Sequence, residues 1–135
     1  TKKAHGTYEE RWTTGGDQLR RRTYYIQGVK DGEELYYPSI QSDEHYRYEW
    51  DMGVLRREQY HYYFLSGQLQ ISTDRVIEGN IAKVEAFEYF PDGSVRIRTK
   101  ATSRVDPPIV VKSEQKQYNE NGTLRREEWL KGFFD

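Results

Sequence analysis

Three arginines stand where strand alternation turns them toward apolar neighbours. Arg57 shares a period-two face with Leu55, Arg75 sits among Leu69, Ile71, Thr73 and Ile77, and Arg126 shares a face with Leu124, Glu128 and Leu130. On an earlier strand the choice stays open between Arg21, with Leu19 and Tyr25, and Arg20, with Arg22 and Tyr24. An unpaired buried charge is very costly, and a guanidinium matches a carboxylate bidentately. The functional reading is therefore a carboxylate clamp of Arg57, Arg75 and Arg126, with Tyr48, Trp50, Tyr63 and Phe90 as the wall beside it. The plainer reading, and the more common case, is an ion pair with Glu58, Glu88, Glu114 or Glu128, because opposite charges across strands are ordinary sheet decoration. Arg75 has the least ordinary setting, and Glu88 on the following strand is its natural partner if no ligand supplies the carboxylate. A bulge would move any of these residues to the other face.

The remaining chemistry-bearing residues do not converge. His5, His45 and His61 lie in three separate segments, whereas metal sites and catalytic histidines need several groups brought together. Most carboxylates stand beside Arg or Lys, which suits solvated pairs better than an acid/base dyad. The chain has no cysteine, so it has no disulfide, thiolate site or thiol nucleophile. A conventional enzyme is not what these residues describe, although a lyase that merely holds a reactive ligand is compatible with them. The tyrosine stretches Tyr24-Tyr25, Tyr36-Tyr37 and Tyr60-His61-Tyr62-Tyr63 have three readings. They fill a core, wall a pocket for a flat conjugated ligand, or form an exposed partner interface, where Tyr, Trp and Arg are enriched. Tyr with Arg could also stack single-stranded nucleic acid, but interleaved acidic residues and a net charge of −1 argue against it.

Strands must position all of these side chains. Turn signals recur at Asp51-Met52-Gly53, Ser66-Gly67, Glu78-Gly79-Asn80, Pro91-Asp92-Gly93, Asp106-Pro107-Pro108 and Asn119-Glu120-Asn121-Gly122. Between Ser94 and Val105, Val95, Ile97, Thr99, Ala101, Ser103 and Val105 alternate with Arg96, Arg98, Lys100, Thr102 and Arg104, as on a half-buried antiparallel strand with one wet face. The same reading places strands at Tyr8–Thr13, Leu19–Gln27, Glu33–Tyr37, His45–Met52, Leu55–Leu65, Gln68–Glu78, Ile81–Pro91, Ile109–Tyr118 and Thr123–Phe133, about ten in all, with no sustained helical period. Asn121-Gly122-Thr123 fits a glycosylation acceptor, but the Asn-Gly turn explains it better.

Composition bounds the rest. With 135 residues the chain reads as one β domain over 1–135. Only 35% of residues are hydrophobic and the mean hydropathy is −1.04. Apolar material is thin, and the 12 tyrosines supply part of the deficit through area that keeps a polar tip. Such a chain either lines a polar interior or builds a thin sheet with little core. No apolar run is long enough for a membrane-spanning helix, and no signal peptide is visible. The chain starts at Thr1 rather than Met, which reads as trimming and leaves a soluble cytoplasmic or organelle-interior setting as the expectation.

The order of elements resembles the lipocalin and fatty-acid-binding-protein superfamily, the calycin barrels. Gly6-Thr7-Tyr8-Glu9-Glu10-Arg11-Trp12 is similar to their opening strand, without its compact Gly-x-Trp triplet. Residues 87–99, from Phe87-Glu88-Tyr89-Phe90 through Pro91-Asp92-Gly93, look like the late hairpin of barrels related to bilin chromophore lyases. A second resemblance is to MORN-type repeat proteins, antitoxin-like ones included. It rests on Tyr118-Asn119-Glu120-Asn121-Gly122-Thr123-Leu124-Arg125-Arg126-Glu127-Glu128-Trp129 and on the recurring Leu19-Arg20-Arg21, Leu55-Arg56-Arg57 and Leu124-Arg125-Arg126. These copies are far apart and uneven for compact repeats.

The expected fold is an all-β antiparallel up-and-down barrel of about ten strands, because closure removes sheet edges. The alternative is an open, MORN-like sheet. The calycin resemblance implies a non-catalytic binding module for an amphipathic anionic small molecule, with a bound lipid or tetrapyrrole as the only cofactor in view. The alternative function is a ligand-free interaction module, either an accessory subunit of a larger complex or an immunity-like partner. An open cavity of several hundred Å³ would favour the first.

Overall fold

A computed structural model describes residues 3–14, 16–40 and 42–131. These residues form eleven strands: β1 (Gly6–Arg11), β2 (Leu19–Ile26), β3 (Val29–Lys30), β4 (Gly32–Tyr36), β5 (His45–Asp51), β6 (Val54–Tyr63), β7 (Leu69–Glu78), β8 (Ile81–Tyr89), β9 (Val95–Arg104), β10 (Ile109–Tyr118) and β11 (Leu124–Lys131). The strands expected from sequence match within a few residues, and the two-residue β3 is the addition. The end of the last expected strand, at residues 132 and 133, lies outside the described residues. No helix occurs among the described residues.

The fold is all-β, antiparallel and up-and-down. Hydrogen-bonded neighbours run β1-β2-β4-β5-β6-β7-β8-β9-β10-β11, with β3 attached to β2. This order has two ends and is not closed into a barrel. Edge protection comes instead from charge, as at β1, where Glu9, Glu10 and Arg11 are exposed. The chain divides into two compact units, Thr1–Tyr60 and His61–Asp135.

Three hairpin turns share one construction. At Phe64, Phe90 and Asn119 the backbone N–H donates to the carbonyl four residues on, and the glycine three residues on donates back, with N···O distances of 2.8 to 2.9 Å. Gly67, Gly93 and Gly122 hold φ of 91°, 92° and 86°, the left-handed conformation that ends a three-residue hairpin loop. The residue before each glycine is Ser66, Asp92 or Asn121. Its side-chain oxygen accepts from the backbone N–H of Gln68, Ser94 or Thr123 at 3.4, 2.9 and 3.1 Å. The local text is therefore Tyr-x-x-[Ser/Asp/Asn]-Gly-x-[Leu/Val], at Tyr63–Leu69, Tyr89–Val95 and Tyr118–Leu124. Beside the second and third turns the ladders carry bulges, at Glu88/Tyr89 and Gln117/Tyr118.

The core is thin. Only Leu35 and Ala82 are fully buried apolar residues among those described, joined by the polar Thr23 and Glu34. The alternation on β9 is softer than the sequence suggests: Arg96 and Lys100 are exposed, but Arg98 and Arg104 are half-buried. Arg98 is covered because its guanidinium lies 5.8 Å from the Phe87 ring and 3.5 Å from Glu85.

Candidate functional site

Side chains on β4 alternate between two faces, so Glu34 and Tyr36 share one face while Glu33 and Leu35 share the other. The registers extend that first face across the unit. Arg21 stands opposite Tyr36, Tyr48 opposite Glu34, Tyr46 opposite Tyr36 and Trp50 opposite Gly32. Tyr8 stands opposite Thr23, and Lys30 opposite Tyr25. Short hairpins make this register firm. Gln27-Gly28 and Met52-Gly53 have φ of 51°/82° and 44°/86°, the paired left-handed values of two-residue turns. The β2–β3 arm is tied to the second turn by the Gly53 N–H donating to the Lys30 carbonyl at 2.7 Å.

Glu34 is the centre of the face and only 1% exposed. Its Oε2 accepts from Arg21 at 2.9 Å and from the Thr23 hydroxyl at 2.8 Å. Its Oε1 accepts from the Trp50 indole N–H and from Lys30, both at 3.1 Å. Burial pushes this carboxyl up, but the hydrogen bonds from Thr23, Lys30 and Arg21 outweigh it and hold the group below its ordinary value. With its lone pairs engaged, Glu34 is an anchor rather than a base.

Around the anchor the aromatic rings lie in contact. Tyr46 stacks on Tyr36 and on Tyr48, with centroids 6.0 Å apart in both pairs, and meets Tyr60 at 4.7 Å. Arg21 covers Tyr36 at 4.4 Å and Lys30 covers Trp50 at 4.9 Å, both within cation–π range. The Tyr60 hydroxyl donates to Glu44. Burial, with the negative charge of Glu58 nearby, pushes the Tyr48 hydroxyl up to about 12. Tyr8 at the margin is 52% exposed, and Tyr25, Tyr36, Tyr46, Tyr48 and Tyr60 are half-buried. The result is a packed aromatic face with hydroxyl tips.

The expected clamp is distributed differently. Tyr48 and Trp50 belong to the aromatic face. Arg57 lies 3.9 Å from Glu49, and Glu49 alternates with Tyr48 and Trp50 on β5, so Arg57 serves the opposite face. In the second unit Arg75 keeps its apolar side of β7 and stands across from Val84. Glu88 stands across from Ile71, four residues away, so it is not the partner that the sequence suggests. Arg126 pairs with Glu128 on its own exposed strand. Phe90 walls a hollow of about 400 Å³ with Arg96, Tyr118 and Arg125. Tyr63 is half-buried at the end of β6.

A larger hollow of about 900 Å³ lies along β7 to β11, with Lys83, Lys100, Lys112, Glu85 and Trp129 among its walls, and neither Arg75 nor Arg126. Lys83 and Lys112 flank Thr102 from the two neighbouring strands. These lysines carry no distinguishing signal in the sequence, because a lysine on a charged alternating face looks like any solvated one. Thr23, Lys30 and Glu34 also went unremarked, since their convergence depends on the register of β2, β3 and β4. Among the described residues no group of three His, Asp or Glu is placed to hold a metal ion. No helix there is long and apolar enough to cross a membrane.

No family model matches the chain, and no curated protein matches it. Among solved structures, it is similar to a Bacteroides fragilis protein of unknown function, at 10% identity and a TM-score of 0.33. The likeness covers 93% of this chain and 92% of that one, and it is too distant to bear on fold or function.

Proposed function

We propose that the protein is a non-catalytic binding module whose aromatic face in the first unit docks the surface of a protein partner. The observation that carries this reading is the Glu34 anchor. A buried carboxylate holds Arg21, Lys30 and Trp50 in place, and these support a run of stacked tyrosines with accessible edges. Tyr offers large contact area at low conformational cost and hydrogen-bonds through its tip, and Tyr, Trp and Arg dominate interface energetics. The engaged lone pairs of Glu34 leave it no role as a proton acceptor, which favours recognition over catalysis. The test uses a partner captured from the source cell and then purified. Calorimetric titration should show that the Tyr36→Ser/Tyr46→Ser variant, folded by circular dichroism, binds at least about tenfold more weakly, as expected when interface aromatics worth 1–2 kcal/mol are removed. Unchanged affinity would contradict the proposal.

The hollow of the second unit favours a second reading, a site for an amphipathic anion of fatty-acid or tetrapyrrole type. Lys83 and Lys112 supply cations on either side of a hydroxyl, and Trp129 supplies an apolar wall, the combination expected of a small-molecule site. Titration with a fluorescent fatty acid and with a bilin should give binding that the Lys83→Ala/Lys112→Ala variant loses. No binding to the parent protein would dismiss this reading.

A further inference from the structure

Among the described residues β11 is hydrogen-bonded to β10 alone, yet Leu124, Trp129 and Leu130 on it are 51%, 69% and 57% exposed. Exposed apolar groups clustered on one element mark an interaction surface, and an edge strand offers unpaired backbone groups to another strand.

The side chains say which strand fits. On one face β11 presents, in order, Arg126, Glu128 and Leu130, and the bulge beside Tyr118 turns Leu124 to the other face. Two copies of this strand running antiparallel about a two-fold axis at Glu127 place Arg126 opposite Glu128, a pairing that occurs twice. Residues directly opposite in an antiparallel pair share a face, with Cβ atoms about 4.5–5.5 Å apart. The Arg126–Glu128 pair within the strand then becomes a square of two positive and two negative charges. On the other face Arg125 meets Trp129, a cation–π pairing. The two Glu127 carboxylates face each other, each with its own Lys116 Nζ at 3.7 Å. Shifting the axis by one residue either way puts Arg126 or Glu128 opposite itself and loses the pattern.

We propose that β11 is a homodimerisation edge, pairing antiparallel with β11 of a second copy about a two-fold axis at Glu127. Such a contact is isologous and closes at two copies. It does not involve the aromatic face, and it shares Trp129 and Leu130 with the hollow of the second unit; its test reads association of copies and not ligand binding, so its failure is distinguishable from that of either reading above.

Sedimentation of the purified protein tests it. The parent should sediment as a concentration-dependent dimer. Arg126→Glu and Glu128→Arg should each weaken dimerisation about ten- to hundredfold, since both replace two attractive cross-strand pairs with two repulsive ones. The double variant Arg126→Glu/Glu128→Arg should restore the dimer, because the swapped charges remain complementary. The chain has no cysteine, so Glu127→Cys gives a second readout: mild oxidation should link two copies through that position, and Glu120→Cys in the neighbouring turn should not link. A monomeric parent at its highest soluble concentration would overturn the proposal. A dimer indifferent to the charge reversals, a double variant that stays monomeric, or a Glu127→Cys protein that fails to cross-link would overturn the register.

Discussion

Glu34→Gln keeps the length of the side chain and removes its charge, which makes it the sharpest probe of the aromatic face. Four side chains donate to the two carboxylate oxygens, so the new amide must turn its own N–H₂ toward at least one donor. Removing one member of a buried ion pair costs about 3–5 kcal/mol. Arg21 and Lys30 are 35% and 30% exposed, so water recovers part of that loss, and about 2–4 kcal/mol is the reasoned figure. In a chain of this size that lowers the melting temperature by on the order of 10 °C. Thermal and urea melts followed by circular dichroism supply the assay, with Glu49→Gln as the control. The control loosens only the exposed contact to Arg57 at 3.9 Å and should change stability by less than about 0.5 kcal/mol. If Glu34→Gln melts with the parent, or no lower than Glu49→Gln, Glu34 is not the anchor and the argument for a packed face fails.

Acid should reveal the same group. The folded pKa of Glu34 lies below its ordinary value of 4.5, so its contribution is present above that pH and is lost as the pH falls through the folded value; urea midpoints below pH 4.5 should fall more steeply for the parent than for Glu34→Gln. Tyr48 should be among the last tyrosines to ionise, at about 12, and Tyr48→Phe should remove absorbance change from that end of the alkaline titration and leave the earlier steps intact. Gly93→Ala forces a side chain into φ 92° and toward Gln68 Oε1 at 3.3 Å, so it should cost about 1–2 kcal/mol in a urea melt.

Strand alternation and glycine-marked turns made the secondary structure legible, because period two and left-handed φ are local properties that residue types report directly. The repeated turn at Tyr63–Leu69, Tyr89–Val95 and Tyr118–Leu124 was also in the text. It was overlooked in favour of the Leu-Arg-Arg copies because its defining bonds run through the side chains of Ser66, Asp92 and Asn121. Closure was not legible. Whether the ends of an up-and-down order pair with each other depends on accumulated twist and stagger, which no single strand encodes. Of the aromatic face, the sequence marked Tyr48 and Trp50 as the wall of a small-molecule clamp, and Tyr25, Tyr36 and Tyr60 as tyrosines open to three readings. The anchor was not legible, because Glu34 looks like a solvated acid beside Glu33, and only the cross-strand register brings Arg21, Thr23 and Lys30 to it. Arg75 shows the same dependence on register: its expected partner Glu88 stands a full four residues along the ladder.

The central claim is that the aromatic face of the first unit meets a protein. Photo-cross-linking tests it most directly, with a benzoyl-phenylalanine placed at Tyr8 or Tyr36 on that face, or at Glu33 on the opposite face of the same sheet. The account predicts efficient cross-links to a common partner from Tyr8 and Tyr36 and few from Glu33. Equal cross-linking from both faces, or efficient cross-linking from Glu33 alone, would contradict it.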